Sequence, residues 1–266
     1  MIIASDLDRT LMYSTRALEE LGRPEDTVLK PVENKSGNWV GFMTETGYSA
    51  LKQLNRQSLF IPVTTRTTEQ FKRFVIFEKE IPLTYAITTN GANILYKGEP
   101  LTDWSDNLHS LLGSKAAGQE ELLAALKKEG FQFDGQLKQV EKLFFYFILN
   151  CLPTASDLLA VRELVALYGW RTSLQGRKLY LIPTLISKGN ALDYICNREG
   201  MEAIAGAGDS VLDWDFLRNC RNRFVPRHGE LVDKLETSNV TLTNNLGIAA
   251  GEEILQHFQT MLSLKV

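Results

Sequence analysis

Two aspartates follow the first apolar segment of the chain and could hold a metal ion or attack an electrophile. Asp6 and Asp8 come directly after Ile2–Ser5, a segment typical of a buried strand. Ligands of open α/β sheets bind at the carboxyl ends of strands, and two close carboxylates repel each other unless a cation compensates them. A turn in which Asp6 caps a following helix explains the same residues, and this segment alone does not decide between the two interpretations.

Three more aspartates follow a second apolar segment. Asp209, Asp213 and Asp215 come after Ala203–Ala207, with two glycines that allow a tight turn. Oxygen ligands without a nearby histidine or cysteine favour Mg²⁺ over zinc. A solvated acidic loop with Asp209 as a helix N-cap is the alternative, and it is weaker once both aspartate loops are considered together.

Three further segments could bind the oxygens of an anion such as phosphate. Ser187 is a good N-cap, which places Lys188 at the start of a helix, where a cation opposes the helix dipole by about 0.3–1 kcal/mol. A bound anion would offset that cost. Residues 63–67 offer hydroxyls at another helix start, and Asn90 lies in a similar strand-end loop. The plain alternatives are an exposed lysine, a structural threonine cap and a turn.

The elements that must position these residues alternate along the chain. Short apolar strands are predicted at Ile2–Ser5, Leu59–Val63, Tyr85–Thr88, Ala203–Ala207, Phe224–Val225 and Val240–Leu242. Helices are predicted at Tyr48–Gln57, Thr67–Phe77, Lys188–Glu199, Gly229–Leu235 and Gly247–Leu262. Continuous apolar strands alternating with helices predict an α/β fold with a doubly wound, mostly parallel sheet.

The middle of the chain has an α+β pattern and is predicted to be an inserted domain. Helices are expected near Gln119–Glu129 and Ala155–Leu167, and strands near Phe144–Leu149, Arg171–Leu174 and Leu179–Ile182. Polar stretches at its borders place the insert at 97–184 and the core at 1–96 and 185–266. A further segment, Gly22–Gly47, is long for a connection, and Ser36-Gly37-Asn38 within it suggests a hairpin, which could be a flap or an edge hairpin with a packed Trp39.

Composition limits the classes of partner. The 266 residues are 44% hydrophobic and 23% charged, as in a globular protein, and the net charge of −3 gives no reason to expect nucleic acid or an anionic membrane. Three separated cysteines suggest neither a disulfide framework nor a zinc site, so a reducing, cytoplasmic setting is expected. No apolar run approaches the ~20 residues that cross a bilayer. A monomer or a small homo-oligomer is expected, and the three histidines are assigned no function.

The order of these segments resembles the haloacid dehalogenase superfamily. Its motifs are matched by Asp-x-Asp-x-Thr at Asp6–Thr10, the threonine at Thr64, the lysine at Lys188 and Gly-Asp-x-x-x-Asp at Gly208–Asp213. The long insert, preceded by Asn90-Gly91, is similar to the subgroup with a C2-type α+β cap, which includes sucrose-phosphate and mannosyl-3-phosphoglycerate phosphatases. The resemblance covers the core on both sides of the insert.

This resemblance implies a Mg²⁺-dependent phosphomonoester hydrolase that acts on a small phosphorylated metabolite, with a sugar phosphate as the expected substrate. It implies Asp6 as nucleophile, Asp8 as general acid and base, and Lys188 as the third catalytic group. The implied metal ligands are Asp6, Asp8 through its backbone carbonyl, Asp209 and Asp213, the last either directly or through water. The implied phosphate- or substrate-binding residues are Thr10, Thr64, Thr65, Arg66, Asn90 and Lys188.

Three departures from the family pattern bear on these assignments. Arg9 and Thr65 stand where many relatives have glycine, so either Thr64 or Thr65 could present the hydroxyl, and we choose Thr64. Leu212 replaces an asparagine that many relatives carry beside the last aspartate. A phosphomutase and a non-catalytic phosphometabolite-binding protein are the alternatives to a hydrolase.

Overall fold

Residues 1–233 and 239–263 are described by a computed structural model of the chain. By their contacts they divide into two units, one formed by Met1–Leu101 with the residues from Lys188 onward, and one formed by Thr102–Ser187. The sequence placed these boundaries at 97 and 184. That the second unit acts as a cap stays a prediction.

The secondary structure of the described residues follows in chain order. The strands are β1 (Ile2–Ser5), β2 (Tyr13–Ser14), β3 (Leu29–Lys35), β4 (Asn38–Thr44), β5 (Leu59–Pro62), β6 (Tyr85–Thr88), β7 (Asn93–Tyr96), β8 (Glu99–Pro100), β9 (Gly135–Val140), β10 (Phe144–Leu149), β11 (Trp170–Gln175), β12 (Lys178–Pro183), β13 (Ala203–Ala207), β14 (Asn222–Val225) and β15 (Thr241–Leu242). The α-helices are α1 (Thr15–Leu21), α2 (Glu45–Gln57), α3 (Thr68–Phe71), α4 (Val75–Lys79), α5 (Thr102–Lys115), α6 (Gln119–Lys128), α7 (Ala155–Leu167), α8 (Lys188–Glu199), α9 (Trp214–Leu217) and α10 (Gly247–Ser263). Short 3₁₀ turns are formed by Thr89–Gly91, Val211–Asp213 and Glu230–Asp233.

A parallel sheet forms the centre of the first unit. Its strand order is β15-β14-β13-β1-β5, and each neighbouring pair is parallel. Ser5 pairs with Ala207 on one side and Pro62 on the other, so the residues that follow these three strands emerge at one edge of the sheet. Every residue of β1 is buried, as its continuous apolar sequence predicts for a parallel strand covered on both faces. The predicted α/β fold class is confirmed.

Helices α2 and α10 pack together beside this sheet. Leu51 and Leu54 of α2 and Leu255 and Phe258 of α10 are fully buried in the same apolar core as Ile3 of β1. Burial of a large apolar side chain contributes about 1.5–3 kcal/mol. This core fixes the central strand from which the first aspartate loop begins.

Strands β3 and β4 form a hairpin in the segment Gly22–Gly47, joined by Ser36 and Gly37 with φ of 51° and 89°. Positive φ at both turn residues matches the twist of an antiparallel hairpin, and the Asn34 side chain accepts a hydrogen bond from the Gly37 backbone N–H at 2.9 Å. The predicted hairpin is confirmed, and of the two alternatives for it, the one with a packed Trp39 is wrong, because Trp39 is 48% exposed.

The second unit is an antiparallel sheet with helices. Its strand order is β11-β12-β10-β9, and α7 packs on β11. The structure has β10 and α7 at the predicted bounds. Strand β9 was not predicted, because its sequence, Gly-Gln-Leu-Lys-Gln-Val, has little apolar character and most of its residues are exposed.

Two predicted helices of the first unit differ in the structure. The helix expected over Thr67–Phe77 is divided into α3 and α4, because the backbone between them pairs with the hairpin: the Asn34 N–H donates to the Arg73 carbonyl at 2.9 Å. The helix expected over Gly229–Leu235 is a 3₁₀ turn at Glu230–Asp233, and its last two residues lie outside the described residues. Within residues 1–233 and 239–263, no helix has both the length and the apolar character that a bilayer span requires.

Candidate active site

Three aspartates meet at the carboxyl edge of the parallel sheet. Asp6 follows β1, Asp209 follows β13, and Asp213 ends the 3₁₀ turn after β13. One carboxylate oxygen from each of the three lies within 4.8 Å of the others. Backbone hydrogen bonds continue the sheet past the strand ends, since the Asp6 N–H donates to the Ala207 carbonyl at 2.8 Å. The sheet therefore brings together two loops that are about two hundred residues apart in sequence.

Lys188 is the cation of this cluster. It begins α8, it is 1% exposed, and its Nζ donates to Asp6 Oδ1 at 2.8 Å and to Asp213 Oδ1 at 2.5 Å. Burial by itself lowers the pKa of Lys188, but the carboxylates of Asp213 and Asp6 outweigh it, and the pKa lies above its ordinary value. Lys188 is therefore a charged, buried ammonium and not an exposed lysine.

One ammonium does not compensate three carboxylates. Burial, followed by repulsion from Asp213, raises the pKa of Asp6 well above its ordinary value and that of Asp209 to about 8. A divalent cation would favour the ionised form of both groups. The donors are all hard oxygens, as Mg²⁺ prefers, so Asp6, Asp209 and Asp213 fit a Mg²⁺ site by their chemistry as well as by their spacing.

Both carboxylate oxygens of Asp213 are already occupied by hydrogen bonds within the protein. Its Oδ1 accepts from Lys188, and its Oδ2 accepts from the backbone N–H groups of Asp209 and Ser210 at 3.1 and 2.8 Å and from the Ser210 hydroxyl at 2.9 Å. Gly208 makes room for this side chain, since a Cβ there would lie 2.4 Å from Asp213 Cβ. Asp213 therefore orders the loop and orients Lys188, which makes contact with a metal through water the simpler of the two predicted arrangements.

Asp8 lies outside the three-carboxylate cluster and is bound by Arg66. The Nε and Nη2 atoms of Arg66 each donate to one oxygen of Asp8 at 2.6 Å. The same guanidinium donates to both oxygens of Glu33, at 2.6 and 3.0 Å. Arg66, predicted to bind phosphate, thus contacts two carboxylates of the chain, and its contact with a phosphate stays a prediction.

The threonine loop after β5 is joined to the loop after β6. The Thr64 side chain is buried and accepts from the Arg66 backbone N–H at 3.1 Å, while Thr65 is partly exposed. The Asn90 N–H donates to the Thr64 carbonyl at 3.0 Å. Asn90 has a φ of 58°, and its side chain is fully buried without a hydrogen-bond partner for Oδ1 or Nδ2. A buried amide without partners is costly, which makes Asn90 a candidate ligand-binding group.

Thr10 braces the two aspartate loops against each other. Its side chain is fully buried, and its hydroxyl donates to Asp209 Oδ1 at 3.4 Å. This contact gives Thr10 a structural role in supporting the first aspartate loop. A direct contact of Thr10 with substrate stays a prediction.

His228, to which the sequence assigns no function, supports the first aspartate loop. Its Nδ1 accepts from the Gly247 N–H at 3.2 Å, which leaves the proton on Nε2 to donate to the Arg9 carbonyl at 2.8 Å. Arg9 adopts a φ of 62° within the first aspartate loop, and His228 helps to hold that conformation. Burial lowers the pKa of His228 below its ordinary value. Nothing in the local sequence indicated a contact over 219 residues.

Comparison with known proteins finds similarity in structure and not in sequence. No protein-family model matches the chain, and no curated protein matches it significantly. Among solved structures, the sucrose-phosphatase of Synechocystis in complex with sucrose and phosphate is 18% identical, with 97% of this chain and 98% of that chain covered and a TM-score of 0.69. A sugar phosphatase of haloacid dehalogenase subclass IIB is 14% identical, with 97% and 98% covered and a TM-score of 0.61. A trehalose-6-phosphate phosphatase related protein is 17% identical, with 100% of each chain covered and a TM-score of 0.55.

The chain therefore has the fold of the haloacid dehalogenase-like hydrolases over almost its whole length. The resemblance inferred from the four motifs is confirmed at the level of the fold. Residue identity is too low for the activity of those proteins to be transferred by similarity alone, so the function must be argued from the site.

Proposed function

We propose that this protein is a Mg²⁺-dependent phosphomonoester hydrolase that acts through an aspartyl-phosphate on a small phosphorylated metabolite, with sugar phosphates as the substrate class. One observation carries the proposal: the buried Asp6 carboxylate meets Asp209 and the Lys188 ammonium at a strand end. A nucleophile, an acidic metal site and a fixed cation are the three parts that phosphoryl transfer to a carboxylate requires.

In the first step, a carboxylate oxygen of Asp6 attacks the phosphorus of the substrate, and the bond from phosphorus to the leaving-group oxygen breaks. Asp8 gives its proton to that oxygen, so the product leaves as a neutral alcohol. Lys188 donates to the transferring phosphoryl group and to Asp6, and its charge reduces the repulsion between the anionic nucleophile and the anionic substrate.

In the second step, a water molecule attacks the phosphorus of the aspartyl-phosphate, and Asp8 accepts a proton from that water. The bond between phosphorus and the Asp6 oxygen breaks, which releases inorganic phosphate and restores the carboxylate. Asp6, Asp209 and the Asp8 carbonyl would hold Mg²⁺, with Asp213 directly or through water, and the ion would supply charge stabilisation for a bound phosphoryl group.

The phosphate oxygens need donors that are already in place before substrate binds. Thr64 supplies a buried hydroxyl at the end of β5, and Asn90 supplies a buried amide without a partner in the adjoining loop. The backbone joins the two, because the Asn90 N–H donates to the Thr64 carbonyl. Donors held by the fold stabilise a transition state without reorganisation, so Thr64 and Asn90 would supply part of the electrostatic catalysis.

The substrate class rests on a different observation. The solved structures that align with this chain over nearly its whole length include a sucrose-phosphatase and a subclass IIB sugar phosphatase. A panel of sugar phosphates is therefore the appropriate first screen.

The experiment measures inorganic phosphate release from an aryl phosphate and from that panel, with Mg²⁺ and with a chelator. We expect Mg²⁺-dependent turnover that Asp6→Asn abolishes. Asp193→Asn, at an exposed position on α8, is the matched control and should keep full activity. Turnover that is independent of metal or unaffected by Asp6→Asn would refute the proposal. Isomerised sugar phosphate without phosphate release would identify a mutase, and tight binding without turnover would identify a sensor.

A further inference from the structure

Arg66 holds the side chain of Asp8 in place. The Asp8 side chain is 43% exposed, so the packing of the protein does not restrict it on its own. Arg66 donates to both of its oxygens at 2.6 Å, a two-point contact that fixes the plane of the carboxylate. The orientation of the predicted general acid therefore depends on where the guanidinium of Arg66 lies.

Arg66 is positioned in turn by the hairpin of β3 and β4. Glu33 of β3 is 3% exposed and accepts from two nitrogens of Arg66, and its Oε1 also lies 3.0 Å from an Arg73 nitrogen. The guanidinium carbon of Arg66 stacks 4.3 Å from the centre of the Phe74 ring. Glu33 and Phe74 thus hold Arg66 on the side away from Asp8.

The chain around Glu33 is shaped to place this carboxylate. The register of β3 against β4 shifts on both sides of Glu33, which turns its side chain out of the regular alternation. Gly41 of the opposite strand leaves it room, since a Cβ there would lie 2.8 Å from Glu33 Cβ. The Glu33 backbone also bridges to Phe74, so the hairpin is fixed to the segment that carries Arg73.

Asp8, Arg66, Glu33 and Arg73 form one network of ion pairs with balanced charge. Two arginines, Arg66 and Arg73, face two carboxylates, Asp8 and Glu33. If Glu33 lost its charge, one of its two acceptors for Arg66 and the ion pair would be lost, and the guanidinium would be held less firmly. Partner removal in a buried ion pair is costly because the remaining charge must find another position.

We propose that Glu33 is a positioning residue for the reaction, acting through Arg66 to hold the Asp8 carboxyl where it can protonate the leaving group. This inference rests on the proposed phosphatase function. The hairpin of residues 29–44 then contributes to catalysis through one buried carboxylate, that of Glu33.

The loss of rate caused by a displaced Asp8 should depend on the leaving group of the substrate. An alkoxide from a sugar phosphate needs a proton as it departs, whereas nitrophenolate is stable without one. General acid catalysis contributes about 10²–10⁴-fold where it is needed, and misplacement of a catalytic group by about 1 Å costs up to about 10²-fold. In the first step, transfer of the phosphoryl group to Asp6, a displaced Asp8 therefore slows alkyl phosphates much more than p-nitrophenyl phosphate.

The test compares kcat/KM, which includes only the steps up to release of the alcohol or phenol, for Glu33→Gln and wild-type protein on glycerol phosphate or the best sugar phosphate, and on p-nitrophenyl phosphate. We expect kcat/KM to fall about 10- to 100-fold on the alkyl phosphate and less than about threefold on the aryl phosphate. Arg66→Lys, which keeps the charge and loses the two-point contact, should show the same contrast.

Glu80→Gln is the matched control. Glu80 also anchors the hairpin, through Lys30 of β3 at 3.1 Å, but it has no contact with Arg66. It should slow both substrates equally or not at all. Activity of Glu33→Gln on the aryl phosphate reports that the variant is folded, and Arg66→Lys provides the contrast if that variant fails to fold.

Equal losses on both substrates in Glu33→Gln and Arg66→Lys would overturn the inference and leave the hairpin with a purely structural role. That result is distinct from failure of the proposed function, in which the wild-type protein itself releases phosphate from neither substrate. In an Asp8→Asn background, Glu33→Gln should have no further effect on the alkyl phosphate, and an additive loss there would also overturn it.

Discussion

Replacement of Lys188 by methionine tests the electrostatic balance of the site. Methionine has nearly the length of lysine and no charge, so Lys188→Met removes the ammonium while largely preserving the packing. The ammonium contacts Asp6 and Asp213 at 2.8 and 2.5 Å and is 1% exposed. Removing one partner of such a buried pair costs about 3–5 kcal/mol, a large share of the ~5–15 kcal/mol that stabilises an ordinary domain.

The pH dependence of this loss has a defined sign. The pKa values of Asp6 and Asp209 are raised in the folded protein, to about 8 for Asp209, so the folded state binds more protons than the unfolded chain above pH 4. Stability therefore falls as pH rises through that range. Lys188 lowers both pKa values, and its removal makes the fall steeper, so the variant should lose more stability at pH 8 than at pH 5.

The assay is urea unfolding with a chelator at pH 5 and pH 8, repeated with Mg²⁺. Mg²⁺ should restore more stability to Lys188→Met than to the wild type, because the cation takes over the compensation of the carboxylates; at a concentration of 100 Kd, binding contributes about 2.7 kcal/mol. Lys72→Met, at an exposed position of the same unit, is the control. A loss below about 1 kcal/mol that is equal at both pH values would refute this reasoning.

Three further variants test other parts of the structure. Gly208→Ala should lower the free energy of unfolding by about 1–3 kcal/mol and reduce turnover, since its Cβ would collide with Asp213. Gly113→Ala, in open space on α5, is the control and should be neutral or stabilising in thermal unfolding. Burial lowers the pKa of His228, so this residue takes away stability as pH falls below about 6.5 and opposes the gain that comes from Asp6 and Asp209; His228→Gln should make that gain steeper, and unchanged slopes would contradict the assignment. Glu253 accepts hydrogen bonds from two backbone N–H groups, which outweigh burial and lower its pKa. Glu253→Gln should therefore reduce the free energy of unfolding at neutral pH and have a smaller effect below about pH 4.5. An equal loss of stability at both pH values would contradict this prediction.

The sequence predicted the parallel core because its signals are local. A strand buried on both faces is apolar along its length, so β1 and β13 stand out in the sequence as in the structure. A helix start is also local, and α8 begins at the predicted Lys188. The topological rule that ligands bind at strand carboxyl ends then places Asp6 and Asp209 together.

The parts that could not be predicted depend on contacts between distant segments. Glu33 meets Arg66 only because a hairpin folds back on the break between α3 and α4, and nothing in the composition of residues 29–44 indicates that contact. The same pairing divides a stretch whose apolar spacing predicts one helix. His228 reaches Arg9 across the sheet edge, so its neighbours in sequence do not reveal its role.

The central claim is that Asp6 forms a covalent bond to phosphorus, and trapping that bond tests it most directly. Enzyme mixed with a substrate labelled in its phosphoryl group is quenched with acid during turnover, and the labelled peptide is identified. We expect label on the peptide that contains Asp6, lost on treatment with hydroxylamine and absent from Asp6→Asn. Release of labelled phosphate at the normal rate by Asp6→Asn, or stable label on any other residue, would contradict it.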